Sequence, residues 1–466
     1  MALSQEFWAQ SAPEPGMLSV EAEALRYIPA GFAFRHNVLA YGVDGPELLV
    51  AIPDGEPATV DRIRLLTGMQ VRALAVPREV IQKQLSAAYT TQELKRGDDI
   101  AVSSPAIRAV DEIHETAARS RASDIHIEPH GTGGRVRQRV NGRLSVVRWL
   151  ERDLYSHVVS RIRILAGLDV ADRRQPQDGR YSFQSEGSSV DARLSSISTM
   201  NGERLVIRLL GTCTQRPALD TLGMDVETLR HVRSLVRAPH GFVVICGPTG
   251  SGKTTTLYAS LGERDADSEH LCTIEDPVEI RLPGVAQVQV SPRAGMTFSK
   301  ALRAILRQDP DVIMIGEMRD AETANTAISA ALSGQLVLTT MHGYDAARAI
   351  DRLVDLEVSR PSIAAALTGV VAQRLLRTSC SACCGGSCQA CSGTGFSGRT
   401  GVFECVEVSA DLREAITLGM SPREMLRLLE REGQGSLSHD ALRHVMAGRT
   451  TANEVQRVLG PTAVGR

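Results

Sequence analysis

The apolar run Phe242-Val243-Val244-Ile245-Cys246 passes without a break into Gly247-Pro248-Thr249-Gly250-Ser251-Gly252-Lys253-Thr254, with Thr255 following. No other feature constrains the fold as tightly, because G-x-x-x-x-G-K-[ST] requires a strand in front of it and a helix behind. The glycines allow successive main-chain N–H groups to close around an anion, and the helix N-terminus adds partial positive charge. Lys253 is then placed to reach β- and γ-phosphate oxygens and Thr254 to ligate Mg2+, so residues 247–255 form the expected phosphate cradle.

Such a loop needs acidic partners on neighbouring strands. Asp311-Val312-Ile313-Met314-Ile315-Gly316-Glu317 predicts a buried parallel strand whose carboxyl end delivers Glu317 to the edge where nucleotides bind in α/β sheets. Glu317 is the candidate to orient or deprotonate the attacking water. Asp311, at the far end, suits a structural role. Leu271–Ile274 reads as another strand, followed by the carboxylates Glu275, Asp276 and Glu279, and a third at Leu336–Thr340 is followed by His342, a candidate for the γ-phosphate.

Composition bears on the charge carriers. Of 52 basic residues only Lys83, Lys95, Lys253 and Lys300 are lysines, and one of the four ends the glycine loop. The net charge of −2 gives no global nucleic-acid signature, and no specific nucleic acid is expected. Between Arg119 and Arg208, however, 16 arginines face 10 acidic residues. That surplus reads either as a solvated face or as guanidinium forks aimed at an anion.

Five of nine cysteines fall within residues 380–391. Cys380-x-x-Cys383 and Cys388-x-x-Cys391 predict one closed structural Zn2+ site, with Cys384 as an alternative to Cys383. Cys213, Cys246, Cys272 and Cys405 read as small core residues. A start with Glu6 and no basic n-region argues against a secretory signal, and no segment approaches the roughly 20 apolar residues that span a bilayer, so a cytoplasmic address is expected.

At 466 residues the chain should hold roughly three domains. Residues 1–90 read as a small α/β domain with an apolar stretch at 48–52, a turn at Asp54-Gly55 and a helix over 77–88. Residues 91–103 read as a linker. Residues 104–217 form an arginine-rich second domain, with a helix over 104–118 and strands at 124–128 and 135–140. Residues 218–466 hold the glycine-loop domain, including the cysteine loop at 378–397 and a helical end over 409–466, where Ser421-Pro422-Arg423-Glu424 and Thr451 with Glu454 give capping signals.

Taken in order, Lys253, Glu275-Asp276-Pro277, Glu317, His342 and the cysteine pairs resemble the secretion ATPase superfamily typified by the type II secretion system ATPase E and the type IV pilus assembly ATPase. Their motifs are Walker A, the Asp box, Walker B and the His box. Ala122-Ser123-Asp124-Ile125-His126-Ile127-Glu128-Pro129, Pro176-Gln177-Asp178-Gly179-Arg180 and Gly202-Glu203-Arg204 resemble the family's second N-terminal domain.

The resemblance implies an α/β fold with a RecA-like P-loop ATPase domain behind two smaller α/β domains, and hydrolysis of ATP with Mg2+. It implies catalytic roles for Lys253, Glu275, Glu317 and His342, and contacts from Arg193 and Arg208 to the nucleotide. A homohexamer is implied, held peripherally at the inner membrane by the cytoplasmic domain of a membrane-anchored platform protein and working on a pseudopilus, with an acidic phospholipid surface as a further contact. Pilus assembly is the near alternative; a DNA-translocating or conjugation ATPase and a non-hydrolysing nucleotide-gated assembly protein are the more distant ones. Gly343 and Tyr344 replace the threonine and asparagine usual after the histidine, and Asn141 replaces an aspartate.

Overall fold

The computed structural model describes residues 18–28, 32–33, 36–53, 57–88, 105–170, 172–185, 187–210, 217–291, 294–391 and 393–461. The Asp54-Gly55 turn, the 91–103 linker and Cys213 lie outside them. The chain divides into two compact units, Met1–Thr212 and Cys213–Arg466.

The first unit contains two sheets. Strands β1 (Leu39–Asp44), β2 (Glu47–Ile52) and β3 (Gln70–Ala75) form the smaller one, β1 antiparallel and β3 parallel to β2, with helix α1 (Pro57–Thr67) as the crossover and α2 (Arg78–Ala88) after β3. Leu48, Val50 and Ile52 alternate inward along β2 and meet Ile63, Leu66, Ile81 and Leu85. The 48–52 apolar stretch is therefore a central strand with a parallel partner, which explains its near-continuous hydrophobicity.

Helix α3 (Pro105–Arg119) leads into an antiparallel sheet of β4 (Asp124–His130), β5 (Gly133–Val140), β6 (Arg143–Leu150), β7 (Gln177–Ser185), β8 (Ser188–Thr199) and β9 (Gly202–Leu210), in the order β6-β5-β4-β9-β8-β7, with α4 (Arg152–Leu165) inserted after β6. Asn141 and Gly142, both at positive φ (50° and 81°), make the two-residue turn that joins β5 to β6. The apolar residues of one sheet face, among them Ile125, Ile127, Val136, Leu194, Leu205 and Ile207, pack against Val110, Ile113, Val158 and Ile162 of the two helices.

Period-two alternation assigns the other face to Asp124, His126, Glu128, Arg135, Arg137, Arg139, Arg193, Arg204 and Arg208. The arginine surplus is thus concentrated on one side of a sheet. Two of its carboxylates, Asp124 and Glu128, are buried among the guanidinium groups. Glu128 receives Arg137 at 2.7 Å, Arg135 at 3.0 Å and Arg204 at 3.0 Å, while Asp124 receives Arg208 at 3.2 Å and Arg139 at 3.3 Å. Burial alone would raise the Glu128 carboxyl, but its hydrogen bonds from Arg137 and Arg135 hold it below the ordinary range.

The second unit begins with helix α5 (Val226–Arg237), capped by the Asp225 carboxylate, and centres on one seven-stranded sheet. Strands β10 (Gly241–Cys246), β11 (Leu271–Glu275), β12 (Ala286–Gln289), β13 (Val312–Ile315), β14 (Leu336–Met341) and β15 (Leu367–Ser379) run parallel, and β16 (Phe396–Glu407) returns antiparallel to β15. The order is β12-β11-β13-β14-β10-β15-β16. Helices α6 (Lys253–Leu261), α7 (Phe298–Ile305), α8 (Ala321–Leu332), α9 (Ala346–Asp355) and α10 (Arg360–Ala366) connect the strands. All six residues of β10 are buried, so its run of apolar side chains serves two cores, one on each sheet face.

Four short helices follow: α11 (Ala410–Leu418), α12 (Pro422–Arg431), α13 (Leu437–Met446) and α14 (Ala452–Leu459). Ser421 and Glu424 form a reciprocal capping box, and Thr451 accepts from the Glu454 N–H. Each such cap is worth about 1 kcal/mol. Residues 401–404 are the inner part of the long strand β16. Strand β15 has no counterpart in the sequence reading, although Leu367–Ser379 is largely apolar.

Glu404 on β16 is a buried carboxyl that accepts from the Ala346 N–H at 2.9 Å. Burial pushes its pKa from 4.5 to about 7, with the nearby Asp345 adding and Arg374 opposing. Between those values the unfolded chain has released this proton while the folded chain keeps it, so its contribution makes stability fall as pH rises and level off above about 7. The difference is worth roughly 3 kcal/mol. Glu404→Gln is expected to remove this slope and to make the second unit more stable than wild type at pH 8 but not at pH 4, as read by denaturant unfolding at both pH values.

Candidate active site and cysteine centre

The parallel register brings the carboxyl ends of β10, β11, β13 and β14 to one edge of the sheet: Cys246 pairs with Met341, Ile315 with Thr339 and Ile274 with Ile315. Gly247, Glu275, Glu317 and His342 therefore emerge along the same edge. The glycine loop leaves β10 between β14 and β15.

Gly250 and Gly252 lie at φ 77° and 89°, which side chains rarely tolerate. Gly247 needs its bare Cα for a different reason: a Cβ there would stand 2.4 Å from Ser251 Oγ and 2.6 Å from the Gln373 carbonyl. Helix α6 starts at Lys253, and Thr254 and Thr255 are exposed in its first turn. The Lys253 ammonium, half-buried, donates to the Gly247 and Pro248 carbonyls at 2.9 and 3.1 Å. Burial lowers its pKa, and the negative charge of Glu317 opposes that shift, so the two groups sense each other electrostatically.

Glu317 follows β13 by one glycine. The turn is pinned by Gly316 N–H to Ile274 O at 2.8 Å and Met318 N–H to Thr340 O at 3.1 Å. Its carboxylate is partly exposed and paired with the Arg319 guanidinium, which also feels the charge of Asp276. Asp311, at the other end of the strand, accepts from the His270 N–H at 2.7 Å and so splices β11 to β13.

Glu275 is buried, and its carboxylate accepts from the Tyr258 hydroxyl, from Thr273 Oγ1 at 2.6 Å and from Gln287 Nε2 at 3.1 Å. It ties α6 to β11 and leaves Asp276 and Glu279 as the exposed carboxylates of this segment.

His342 is exposed in the loop between β14 and α9. A Cβ at Gly343 would lie 3.4 Å from Cys246 Cβ and 3.6 Å from its Sγ, so these two residues share one packing space. Tyr344 is exposed, with Arg348 and Arg374 5.4 and 5.9 Å from its ring centroid, and its carbonyl accepts from Arg374 at 2.8 Å. Arg319, Tyr258, Gln373 and Arg374 all contact predicted site segments and were missed. Arg319 lies two residues beyond Glu317, a same-face signal for an extended segment. Gln373 and Arg374 are two polar residues in an otherwise apolar run, a signal available once that run is taken as a strand.

Arg193 and Arg208 belong to the first unit, where they stand directly opposite each other in the β8–β9 register. Arg208 is mostly exposed even while paired to Asp124.

The cysteine loop is the hairpin connection between β15 and β16, closed by Cys380 N–H to Gly395 O at 2.8 Å. Four thiolates about 2.3 Å from a tetrahedral zinc would lie roughly 3.8 Å apart. Cys380 and Cys388 are 3.8 Å apart, Cys383 and Cys391 3.7 Å, and Cys388 and Cys391 3.6 Å, with all four sulfurs within 4.8 Å of one another. This donor set fits zinc. Main-chain bonds at Cys388 and Gly395 lower the Cys391 thiol, while burial and the neighbouring thiols raise that of Cys383, so the four sulfurs share their negative charge. Cys384 is exposed at φ 50° and lies outside the cluster, so Cys383 is the fourth ligand the geometry offers. Cys246 and Cys272 are buried in the sheet and Cys405 is partly buried, and burial pushes the Cys246 and Cys405 thiols up to about 12.

A strand, a glycine loop and a helix in the middle of a parallel sheet, with an acidic strand end alongside, define a P-loop nucleotide-binding protein. A family model described as type II/IV secretion system protein matches residues 99–457, and one described as MshEN domain matches residues 13–94. The chain belongs to the type II/IV secretion system protein family, and it is an ATPase of that family. The type II secretion system protein HxcR of Pseudomonas aeruginosa is 46% identical over 362 residues, covering 76% of this chain and 77% of the relative. Type II secretion system protein E of the same organism is 36% identical, covering 96% of this chain and 99% of the relative. The type IV pilus assembly ATPase PilB of Myxococcus xanthus is 34% identical, covering 96% and 88%. In fold, the chain is similar to the ATPase DotB of Legionella pneumophila, with a TM-score of 0.61 at 24% identity, over 77% of this chain and 97% of that one.

The purified protein is expected to carry one zinc per chain by elemental analysis. Cys391→Ser should lose it and Cys384→Ser should retain it; equal loss from both would contradict the ligand set.

Proposed function

We propose that this chain is the type II secretion ATPase of its cell, hydrolysing ATP with Mg2+ to drive pseudopilus assembly. The observation that carries the catalytic part is the single sheet edge that holds the glycine loop, Lys253 and Glu317. Type II secretion system protein E of Pseudomonas aeruginosa, which matches nearly end to end, supports the cellular part.

In this reading the main-chain N–H groups of 247–253 and the Lys253 ammonium hold the β- and γ-phosphates. To meet them, the ammonium exchanges its bonds to Gly247 O and Pro248 O for phosphate oxygens. Thr254, with Glu317 or Asp276 nearby through water, would hold Mg2+, which when bound neutralises phosphate charge. Glu317 takes the proton of the attacking water or orients it, with Arg319 steadying the carboxylate. His342 faces the γ-phosphate from the next strand end. Arg193 and Arg208 act as nucleotide sensors, their forked guanidinium groups suited to phosphate oxygens. The working form is a homohexamer held at the cytoplasmic side of the inner membrane through a platform protein bound by residues 1–90. No helix among the described residues is long and apolar enough to cross a membrane.

The pilus-assembly reading keeps the same chemistry and is favoured by the PilB likeness over 96% of the chain. Co-purification of pilus platform proteins, and none from a secretion machine, would select it.

Glu317→Gln should lower the steady-state rate of phosphate release at least 100-fold while leaving ATP binding within a fewfold of wild type. Phosphate release unchanged by this substitution would overturn the assignment.

A further inference from the structure

The strand that ends in the cysteine hairpin also runs beneath the glycine loop, and one of its side chains is shaped to act on that loop. Gln373 on β15 is 2% exposed and lies on the same sheet face as Val371, toward α6. Its Oε1 accepts from the Thr256 hydroxyl at 2.7 Å, and Thr256 is fully buried in the first turn of α6, two residues beyond Thr254. Its Nε2 fills the space under Gly252: a Cβ on that glycine would come within 2.8 Å of it. Its main-chain carbonyl closes the space beside Gly247 and accepts from Arg374 at 2.8 Å.

Arg374, on the opposite sheet face, bonds the Tyr344 carbonyl two residues beyond His342, so the strand position of Gln373 is itself fixed against the His342 loop. One residue thus touches the first glycine of the loop, its last glycine and the helix turn behind it. A primary amide presents an acceptor to the hydroxyl and a donor to the glycine side without adding a charge beneath the phosphates.

We propose that Gln373 is a positioning residue for the nucleotide. Through Thr256 and Gly252 it sets where the loop N–H groups and the start of α6 stand relative to each other, and therefore how well they converge on phosphate oxygens. This rests on the nucleotide-binding reading. Phosphate contacts depend on sub-ångström convergence of several donors, so a loosened loop loses affinity without losing any donor.

The test is calorimetric titration of ADP into the full chain for wild type, Gln373→Met, Thr256→Val, the double variant and Thr256→Ser, with unfolding temperature measured in the absence of nucleotide. Gln373→Met and Thr256→Val should each weaken ADP binding about tenfold, and the double variant no further than the weaker single. Thr256→Ser, which keeps the hydroxyl, should bind like wild type. Affinities all within twofold of wild type, or a double variant whose loss is the product of the single losses, would overturn the proposal. If Gln373→Met does not fold, the comparison of Thr256→Val with Thr256→Ser decides in the same sense. A wild type that binds no ADP would refute the nucleotide reading itself, whereas wild-type binding matched by the variants would refute Gln373 alone.

Discussion

The second unit depends on a short stretch of main chain, residues 247–252, being held in a curve that only glycine geometry allows, with Lys253 folded back onto its carbonyls. A loop of exposed N–H groups has no intrinsic reason to keep that curve. It is kept because β10 is buried on both faces and hydrogen-bonded on both edges, by β14 on one side and β15 on the other. Behind the loop, Gln373 holds Thr256, and Glu275 holds Tyr258, so α6 is anchored to strands on either side of the loop. The catalytic candidates then follow from strand register, because parallel strands that end together must present their next residues together.

The first unit solves a different electrostatic problem. A sheet face carrying seven arginines, Arg180 of β7 among them, would repel itself without internal anions, and Asp124 and Glu128 supply them from the strand at its centre. These carboxylates cover only part of the positive charge and keep the guanidinium groups spread and ordered. Arg208 stays largely exposed while paired to Asp124. The scarcity of lysine fits this division: forked arginines serve the sheet face, and a compact ammonium is retained at the loop.

Local signals made much of this legible. The motif located β10, its loop and α6; apolar runs ended by acidic or histidine residues located β11, β13 and β14; paired cysteines located the hairpin tip. What was not legible depended on neighbours distant in sequence. The alternation Arg135-Val136-Arg137-Gln138-Arg139 reveals a strand, but not that Glu128 lies across from it. Glu275 looked like one of three equivalent carboxylates until Tyr258, Thr273 and Gln287 converged on it. Strand β15 escaped notice because it abuts the cysteine pairs, whose pattern suggested a loop, and Gln373 and Arg374 interrupt its apolar run for reasons that exist only once the glycine loop and the His342 loop are packed on its two faces.

The claim on which the rest stands is that this loop and its lysine bind nucleotide phosphate. Calorimetric titration of ATP and ADP, each with Mg2+, into wild type and Lys253→Ala measures it directly. The account predicts micromolar binding by wild type and a loss of at least about 100-fold in the variant, with its unfolding temperature without nucleotide unchanged. Equal binding by the two proteins would contradict it.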